Sequence, residues 1–181
     1  MVRDEIMLEE YAFKLTARIE LKIDKFGIPL EYHPAERYEN KRSLQLNAHG
    51  DKSFCHFVLK PQKGSGSRLY QAGVYAIAGT SVKYIGRTNT SLNQRFNGYG
   101  SIQPRNCYEG GQSTNCNINH NVLEDAKAGE TLWVYFHETQ EPDYLEAYLL
   151  NSLVATGRRP PWNKSIPSQA SHKGLARDNY E

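Results

Sequence analysis

The chain has 181 residues, of which 39% are hydrophobic and 23% are charged, and its formal net charge is +2. This composition is typical of a soluble globular protein with one domain, or with a small domain and a substantial extension. No apolar run approaches the roughly 18 residues of a membrane span, and the N-terminal sequence lacks a secretory pattern. We therefore expect a cytoplasmic protein without a membrane partner. The weak positive charge permits nucleic-acid binding without requiring it.

The first predicted element is an amphipathic helix near the N-terminus. Apolar residues recur there at intervals of three or four, at Leu8, Tyr11, Leu15, Ile19, Ile23 and Phe26. Gly27 and Pro29 are expected to end this helix. Its apolar stripe favours packing on the core or on a partner subunit, although DNA contact is an alternative. After it, SFCHFVLK predicts a strand. We assign residues 1–68 to an N-terminal extension that recognises DNA or forms a dimer.

A β-hairpin and a helix are predicted between residues 72 and 99. The hairpin strands are the apolar runs AGVYAIA and VKYIG, separated by residues 79–81. The helix begins near Thr90 or Ser91, either of which can cap it, with Leu92 and Phe96 on one face. A Gly- and Asn-rich loop then leads to a second helix, capped by Asn115 or Asn117, that runs to about Ala128.

The last two predicted elements are a strand and a helix. TLWVYFHE is a nearly continuous apolar run and predicts the strand. The helix has Pro142 in its first turn and Gly157 past its end. The order strand, strand, helix, helix, strand, helix indicates an α/β (α+β) fold. We expect a core at 69–165, with a three-stranded sheet flanked by helices, and a polar C-terminal tail at 166–181.

Residues in this core form an ordered series. Gly73-Val74-Tyr75 and Tyr84-Ile85-Gly86 lie on the two hairpin strands. Five single residues complete the series: Arg87, Arg95, Tyr99, Glu146 and Asn163. In this order and over roughly half the chain, the set resembles the GIY-YIG nucleases, with Val replacing the first Ile. The chain departs from the shortest members of that family by a long loop and an extra helix between Arg95 and Glu146.

The resemblance implies a role in phosphodiester hydrolysis for each matched residue. Tyr75 is the implied general base, and Tyr84 orients water or phosphate beside it. A free phenol has a pKa near 10, so we expect a cation, Arg87 or a metal, to lower the pKa of Tyr75. Arg95 supplies a guanidinium fork for two phosphoryl oxygens. Tyr99 takes an auxiliary position for proton movement.

Glu146 and Asn163 complete the implied site. Glu146 is the implied metal ligand. Since a single carboxylate leaves most of the coordination sphere to water and phosphate, Mg²⁺ is the expected cofactor, with Mn²⁺ as a substitute. Asp143 lies three residues before Glu146 and is expected to share its helix face. Asn163 is expected to hold the glutamate or its own loop in register.

The function that follows is a metal-dependent DNA endonuclease. The compact core with a modest extension favours a sequence-specific type II restriction enzyme that cuts double-stranded DNA. Because each chain carries one site, such an enzyme acts as a homodimer or cuts twice, and the N-terminal helix is the candidate dimer element. The alternatives are a nuclease specific for branched or damaged DNA, and a DNA-binding protein that keeps the fold without catalysis.

Basic residues outside the motif are candidates for contact with the DNA backbone. They are Lys60, Lys63, Arg68, Arg105, Arg158, Arg159 and Lys164. For each of them, a purely solubilising role is about as plausible. Cys107, Cys116 and His120 lack the spacing of a zinc site, so we interpret the cysteines as buried or incidental thiols.

Overall fold

The computed structural model describes residues 2–38 and 43–168. Its strands are β1 (Glu5–Leu8), β2 (Tyr11–Leu21), β3 (Glu31–Tyr32), β4 (Phe54–Cys55), β5 (Phe57–Pro61), β6 (Gly73–Ala78), β7 (Val82–Thr88) and β8 (Trp133–Glu138). Its α-helices are α1 (Leu92–Gly100), α2 (Ser113–Lys127) and α3 (Pro142–Ala155). Short 3-10 turns occur at Pro34–Arg37, Gly66–Tyr70 and Pro104–Cys107. The mixture of helices with antiparallel strands confirms the predicted α+β class.

One antiparallel sheet organises the fold. Its strand order is β1-β2-β8-β6-β7, and β5 pairs with the second half of β2 on the same side as β1. The strands β6, β7 and β8 are the three-stranded core expected from the sequence, and β7 is an edge strand. Because β2 pairs directly with β8, the N-terminal strands continue the sheet of the core.

Helices cover both faces of this sheet. On one face, α1 and α2 pack over β6, β7 and β8, with Phe96, Tyr99, Ile118 and Leu123 buried against the strands. On the other face, α3 packs through its leucines over Val74, Ala76 and Ile85. The alternation of side chains along β7 thus divides its residues between two apolar layers.

The predicted N-terminal helix is wrong, because residues 11–21 form β2. Every odd-numbered residue of this strand is apolar, which is the two-residue period of a strand. The helix prediction is wrong because apolar residues in this segment also recur at intervals of three or four, which is the period of an amphipathic helix. A β-bulge lies between Leu15 and Ala17. Because of it, the odd-numbered side chains up to Leu15 face the α3 side of the sheet, and those from Ala17 onward face the α1 side. A helical dimer element at this position is therefore excluded.

The structure confirms the hairpin, the helices after it and the strand before α3. The single strand predicted at SFCHFVLK is instead divided into β4 and β5, which pair with β3 and β2 in different sheets. The hairpin is β6–β7, and Ser91 caps α1 by accepting a hydrogen bond from the Gln94 amide at 3.2 Å. The helix α2 begins at Ser113, earlier than the predicted caps, and buries both Asn115 and Asn117 inside its first turns. The predicted C-terminal tail lies largely outside the described residues. None of the described helices has the length and apolar character needed to cross a bilayer.

Candidate active site

A polar cavity of about 760 Å³ lies at the edge strand β7. Tyr84 and Arg95 line it from the α1 face of the sheet, and Arg87 and Glu146 line it from the α3 face. Asn163 lines it from the segment that follows α3. Five of the seven residues with an implied role in hydrolysis therefore meet in one cavity, although they come from four separate segments of the chain.

The other two predicted residues form a buried phenol cluster with Arg95. Tyr75 and Tyr99 are both 0% exposed, and their hydroxyls lie 2.7 Å apart in a hydrogen bond. Arg95 Nε donates to the Tyr75 hydroxyl at 3.4 Å, and its guanidinium lies 4.6 Å from the centroid of the Tyr99 ring. Within the described residues, Tyr75 and Tyr99 do not line the cavity. Tyr84, which is 8% exposed, is thus the one of these three tyrosines that lines the cavity.

Burial controls the protonation of these phenols. It raises the pKa of Tyr75, with a further contribution from Tyr84, whereas Arg95 lowers it. Burial also raises the pKa of Tyr84 well above its ordinary value. The expectation that Arg87 lowers the pKa of Tyr75 is wrong, because Arg87 lies on the opposite face of the sheet and pairs with carboxylates there.

Gly86 creates the space in which the phenols meet. A Cβ atom at this position would lie 2.6 Å from the Tyr75 hydroxyl oxygen and 2.6 Å from a ring carbon of Tyr84. Real Cβ atoms do not approach other atoms so closely. The glycine at the end of the Tyr84-Ile85-Gly86 motif is therefore explained by packing, since it lets the Tyr75 ring cross β7.

Arg87 links two carboxylates on α3. Its Nε lies 2.5 Å from Asp143 Oδ1, and its Nη1 donates to Glu146 Oε2. Glu146 is only 8% exposed, and burial raises the pKa of its carboxyl, while the Arg87 cation opposes that effect. As expected from their spacing, Asp143 and Glu146 share a helix face, and Arg87 holds both.

The surroundings of Glu146 fit a cation that is bound mainly by water and substrate. Among the described residues, no hydrogen bond or ion pair engages Glu146 Oε1, and Glu146 lines the cavity. In the same part of the chain, no group of three or more His, Cys, Asp or Glu residues is arranged to hold a metal ion. Mg²⁺ binds through one or two carboxylates and keeps several waters, so a single carboxylate on an open cavity suits it.

Asn163 fastens the segment after α3 to the edge of β7. Its Oδ1 accepts a hydrogen bond from the Ile85 amide at 2.9 Å, and its Nδ2 donates to the Ile85 carbonyl at 2.8 Å. The Trp162 amide donates to the Lys83 carbonyl at 2.9 Å. Of the two roles expected for Asn163, the structure supports the one that holds the loop in register, because its side chain bonds to β7 and not to Glu146.

Replacing Asn163 by alanine is expected to lower the free energy of unfolding by about 2–4 kcal/mol, because it leaves the buried amide and carbonyl of Ile85 without partners. Urea unfolding measures the loss. Asn121→Ala is the matched control, because Asn121 is half-buried and its side chain bonds only within α2. A loss below about 1 kcal/mol for Asn163→Ala would contradict the assigned role.

Of the predicted DNA contacts, only Lys164 lines the cavity. Lys60 and Arg158 pair with the carboxylates of Glu20 and Glu9. Arg105 and Arg159 donate to backbone carbonyls of their own loops. Lys63 is exposed and Arg68 is half-buried near the start of the core. Lys164 is therefore the best placed of these cations to meet a phosphate at the site.

The cavity also contains residues that the sequence interpretation missed. His49 comes from the N-terminal extension, and Ser113 and Thr114 come from the start of α2. No periodic pattern marks His49, and the predicted caps at Asn115 and Asn117 placed the start of α2 too late. The three cysteines are free and buried, as interpreted from their spacing.

No protein-family model matches this chain, and neither a curated protein nor a solved structure is significantly similar to it.

Proposed function

We propose that this protein is a metal-dependent DNA endonuclease of the GIY-YIG type. The observation that carries the proposal is the meeting of Tyr84, Arg95, Arg87 and Glu146 in one cavity at the edge of β7. A phenol, a guanidinium and a carboxylate are the groups that phosphodiester hydrolysis needs to move a proton, neutralise phosphoryl oxygens and hold a metal.

Arg95 is proposed to bind the scissile phosphate. Its guanidinium is fixed between the Tyr75 hydroxyl and the Tyr99 ring, so little side-chain entropy is lost when it binds. Arg87 is already neutralised by Asp143 and Glu146. Among the described residues that line the cavity, Arg95 and Lys164 therefore supply the uncompensated positive charge that attracts an anionic substrate.

Glu146 is proposed to hold Mg²⁺. When bound, the ion supplies Lewis-acid stabilisation of the charge that develops on the phosphoryl and leaving oxygens. The protein contributes a carboxylate on α3 whose position is fixed by the Arg87 hydrogen bond and by its own burial. Mn²⁺ is expected to substitute, since it takes the same oxygen ligands.

Tyr84 is proposed to accept the proton of the attacking water. The family resemblance gives that role to Tyr75, but a general base must lie within hydrogen-bond reach of the water. Tyr84 lines the cavity, whereas Tyr75 is fully buried and bonded to Tyr99. Tyr75 and Tyr99 then serve as the polar support that fixes Arg95 and the Tyr84 ring.

Tyr84→Phe is expected to lower kcat by about 10²–10⁴-fold, the range of general-base catalysis. Because the pKa of Tyr84 is raised, its phenolate fraction grows about tenfold for each pH unit through the neutral range, and the wild-type rate should rise accordingly. This rise should be absent in Tyr84→Phe and present in Tyr75→Phe. Single-turnover rates between about pH 6 and 9 measure it.

Tyr70→Phe is the control for these rates, since Tyr70 is exposed and lies outside the cavity. A pH-dependent rise that persists in Tyr84→Phe but disappears in Tyr75→Phe would return the role of general base to Tyr75.

The proposed activity is tested by incubating the full chain with supercoiled and linear plasmid in Mg²⁺, in Mn²⁺ and in EDTA. Discrete fragments that require the metal support a sequence-specific enzyme of restriction type. Cleavage confined to branched or damaged DNA supports the alternative nuclease. Binding without cleavage under any of these conditions rejects the catalytic proposal and leaves a DNA-binding protein.

The substrate proposed for the restriction-type enzyme is double-stranded DNA. One cavity serves one strand, so cutting both strands needs two copies of the chain or two successive events. Sedimentation of the protein with and without DNA shows whether two copies of the chain or a single copy binds the substrate.

A further inference from the structure

Residues 47–50 form a turn of the N-terminal extension that brings His49 to the cavity. His49 is half-buried, and it shares the lining with Arg95, Glu146 and Lys164. Among the described residues, His49 forms no hydrogen bond or ion pair with the phenol cluster or with the carboxylates of α3. The extension thus contributes a side chain directly to the site that the core residues form.

This turn is fixed to the loop before α2. The Asn47 amide donates to the Cys107 carbonyl at 2.9 Å, and Asn47 Nδ2 donates to the Asn106 carbonyl at 2.6 Å. The His49 amide donates to Asn47 Oδ1 at 3.0 Å. A Cβ atom at Gly50 would overlap the Cys107 carbonyl oxygen, so the two segments are in close contact. His49 is therefore held on a rigid support, as a residue that distinguishes substrates must be.

The charge state of His49 does not suit a contact with the phosphate backbone of DNA. Burial and the nearby Lys164 cation lower the pKa of its imidazole, so the ring is mainly neutral at pH 7. A neutral imidazole carries one donor and one acceptor and cannot neutralise a phosphate. Arg95 and Lys164 already supply positive charge to the same cavity. A donor and an acceptor together suit the edge of a nucleobase, whose pattern differs between base pairs.

The cavity is large enough for such a contact. Its volume of about 760 Å³ lies within the range of pockets that hold whole small molecules, so it has room for a nucleotide beside the scissile phosphate. We propose that His49 contacts a base next to the scissile phosphodiester and helps to determine which DNA sequence is cut. This inference rests on the proposed nuclease function.

The test compares wild type, His49→Ala, His49→Gln and His56→Ala on DNA of high sequence diversity, such as sheared genomic DNA, followed by sequencing of the cut ends. His56 is the matched control, because it is an exposed histidine of the same extension, stacked on Tyr32 at 4.3 Å. Circular dichroism and the thermal midpoint establish that each variant is folded. Should His49→Ala fail to fold, His49→Gln carries the comparison, because its amide presents a donor and an acceptor in a different geometry and should change the preferred base.

The expected result is a change in preference at one base position. Cutting at the preferred sequence falls about 10- to 100-fold relative to sequences that differ at that position, as expected for a lost base contact. His56→Ala keeps the wild-type preference. Because Lys164 is assigned to phosphate, Lys164→Ala should weaken cutting equally at all sequences and reduce the salt dependence of binding.

Three outcomes overturn the inference. Identical cut sites and relative rates in wild type and His49→Ala reject the base contact while the nuclease function stands. An equal loss at every sequence also rejects it, because that is the behaviour of a backbone or catalytic contact. Absence of cleavage by wild type rejects the nuclease function and, with it, the role given to His49.

Discussion

Replacing Glu146 by alanine is expected to reduce DNA cleavage at least about 10³-fold, because it removes the proposed ligand of the catalytic metal. Glu146→Gln should lose a similar amount, since the amide keeps the size of the side chain but lacks the charge that holds Mg²⁺. Single-turnover rates on plasmid DNA measure both losses. The binding of Mn²⁺, followed by calorimetry, should weaken in parallel.

The same substitutions should leave the fold intact. Arg87 keeps its partner Asp143 when Glu146 is replaced, so no isolated charge is left buried. Burial raises the pKa of Glu146 above its unfolded value, so the folded state binds this proton more tightly than the unfolded state. The contribution of Glu146 to stability is therefore greatest below its unfolded pKa and is lost as pH rises through its folded pKa.

It follows that Glu146→Gln should gain stability relative to wild type as the pH rises from acid to neutral, as measured by urea unfolding.

Glu124→Ala is the control for cleavage, because it removes an exposed carboxylate on α2 that pairs with Lys127. Cleavage by Glu146→Ala at more than about a tenth of the wild-type rate would reject Glu146 as the metal ligand.

The second large effect is expected at Arg95. Arg95→Ala should lower kcat/KM about 10²–10³-fold, the loss typical of a removed transition-state hydrogen-bond donor. Arg95→Lys should recover less than about tenfold of this loss, because an ammonium lacks the planar fork that binds two phosphoryl oxygens. The lysine side chain also cannot reproduce the contact between the guanidinium and the Tyr99 ring.

Part of the Arg95→Ala effect will be structural. The alanine variant loses a partly buried cation–ring contact and the hydrogen bond to Tyr75, worth about 1–2 kcal/mol of unfolding free energy together. Rates must therefore be measured well below the thermal midpoint of each variant. Arg18→Ala is the control, since Arg18 lies on β2 beside Glu20 and outside the cavity. Activity of Arg95→Ala within fivefold of wild type would exclude a role in binding phosphate.

The core elements were predictable because each has a local signal. The hairpin follows from two apolar runs around a short Gly-containing turn, and α3 follows from Pro142 and Gly157 at its ends. These signals agree with the packing, so no tertiary information was needed. The N-terminal strand β2 was not predicted, because its apolar residues fit both a helical and a strand period. The bulge after Leu15 adds an irregularity that local sequence does not reveal.

The sequence predicts the residues of the candidate site but not their arrangement. The sequence motif identifies Tyr75 and Tyr84 together, yet only the packing shows that Tyr75 is fully enclosed while Tyr84 lines the cavity. The position of Arg87 depends on the alternation of β7 side chains between two faces, which separates it from Tyr75. His49 has no local signal, because its place depends on hydrogen bonds between segments about 60 residues apart.

The pairing of Asn163 with Ile85 also affects how the protein behaves at high concentration. An unpaired edge strand offers its amides and carbonyls to the strands of other molecules, and β7 is rich in β-branched and aromatic residues. The segment at Trp162 and Asn163 occupies this edge at Lys83 and Ile85, and so blocks the addition of a foreign strand. The asparagine that supports the cavity is therefore also expected to limit aggregation through this edge, and its loss should lower solubility as well as stability.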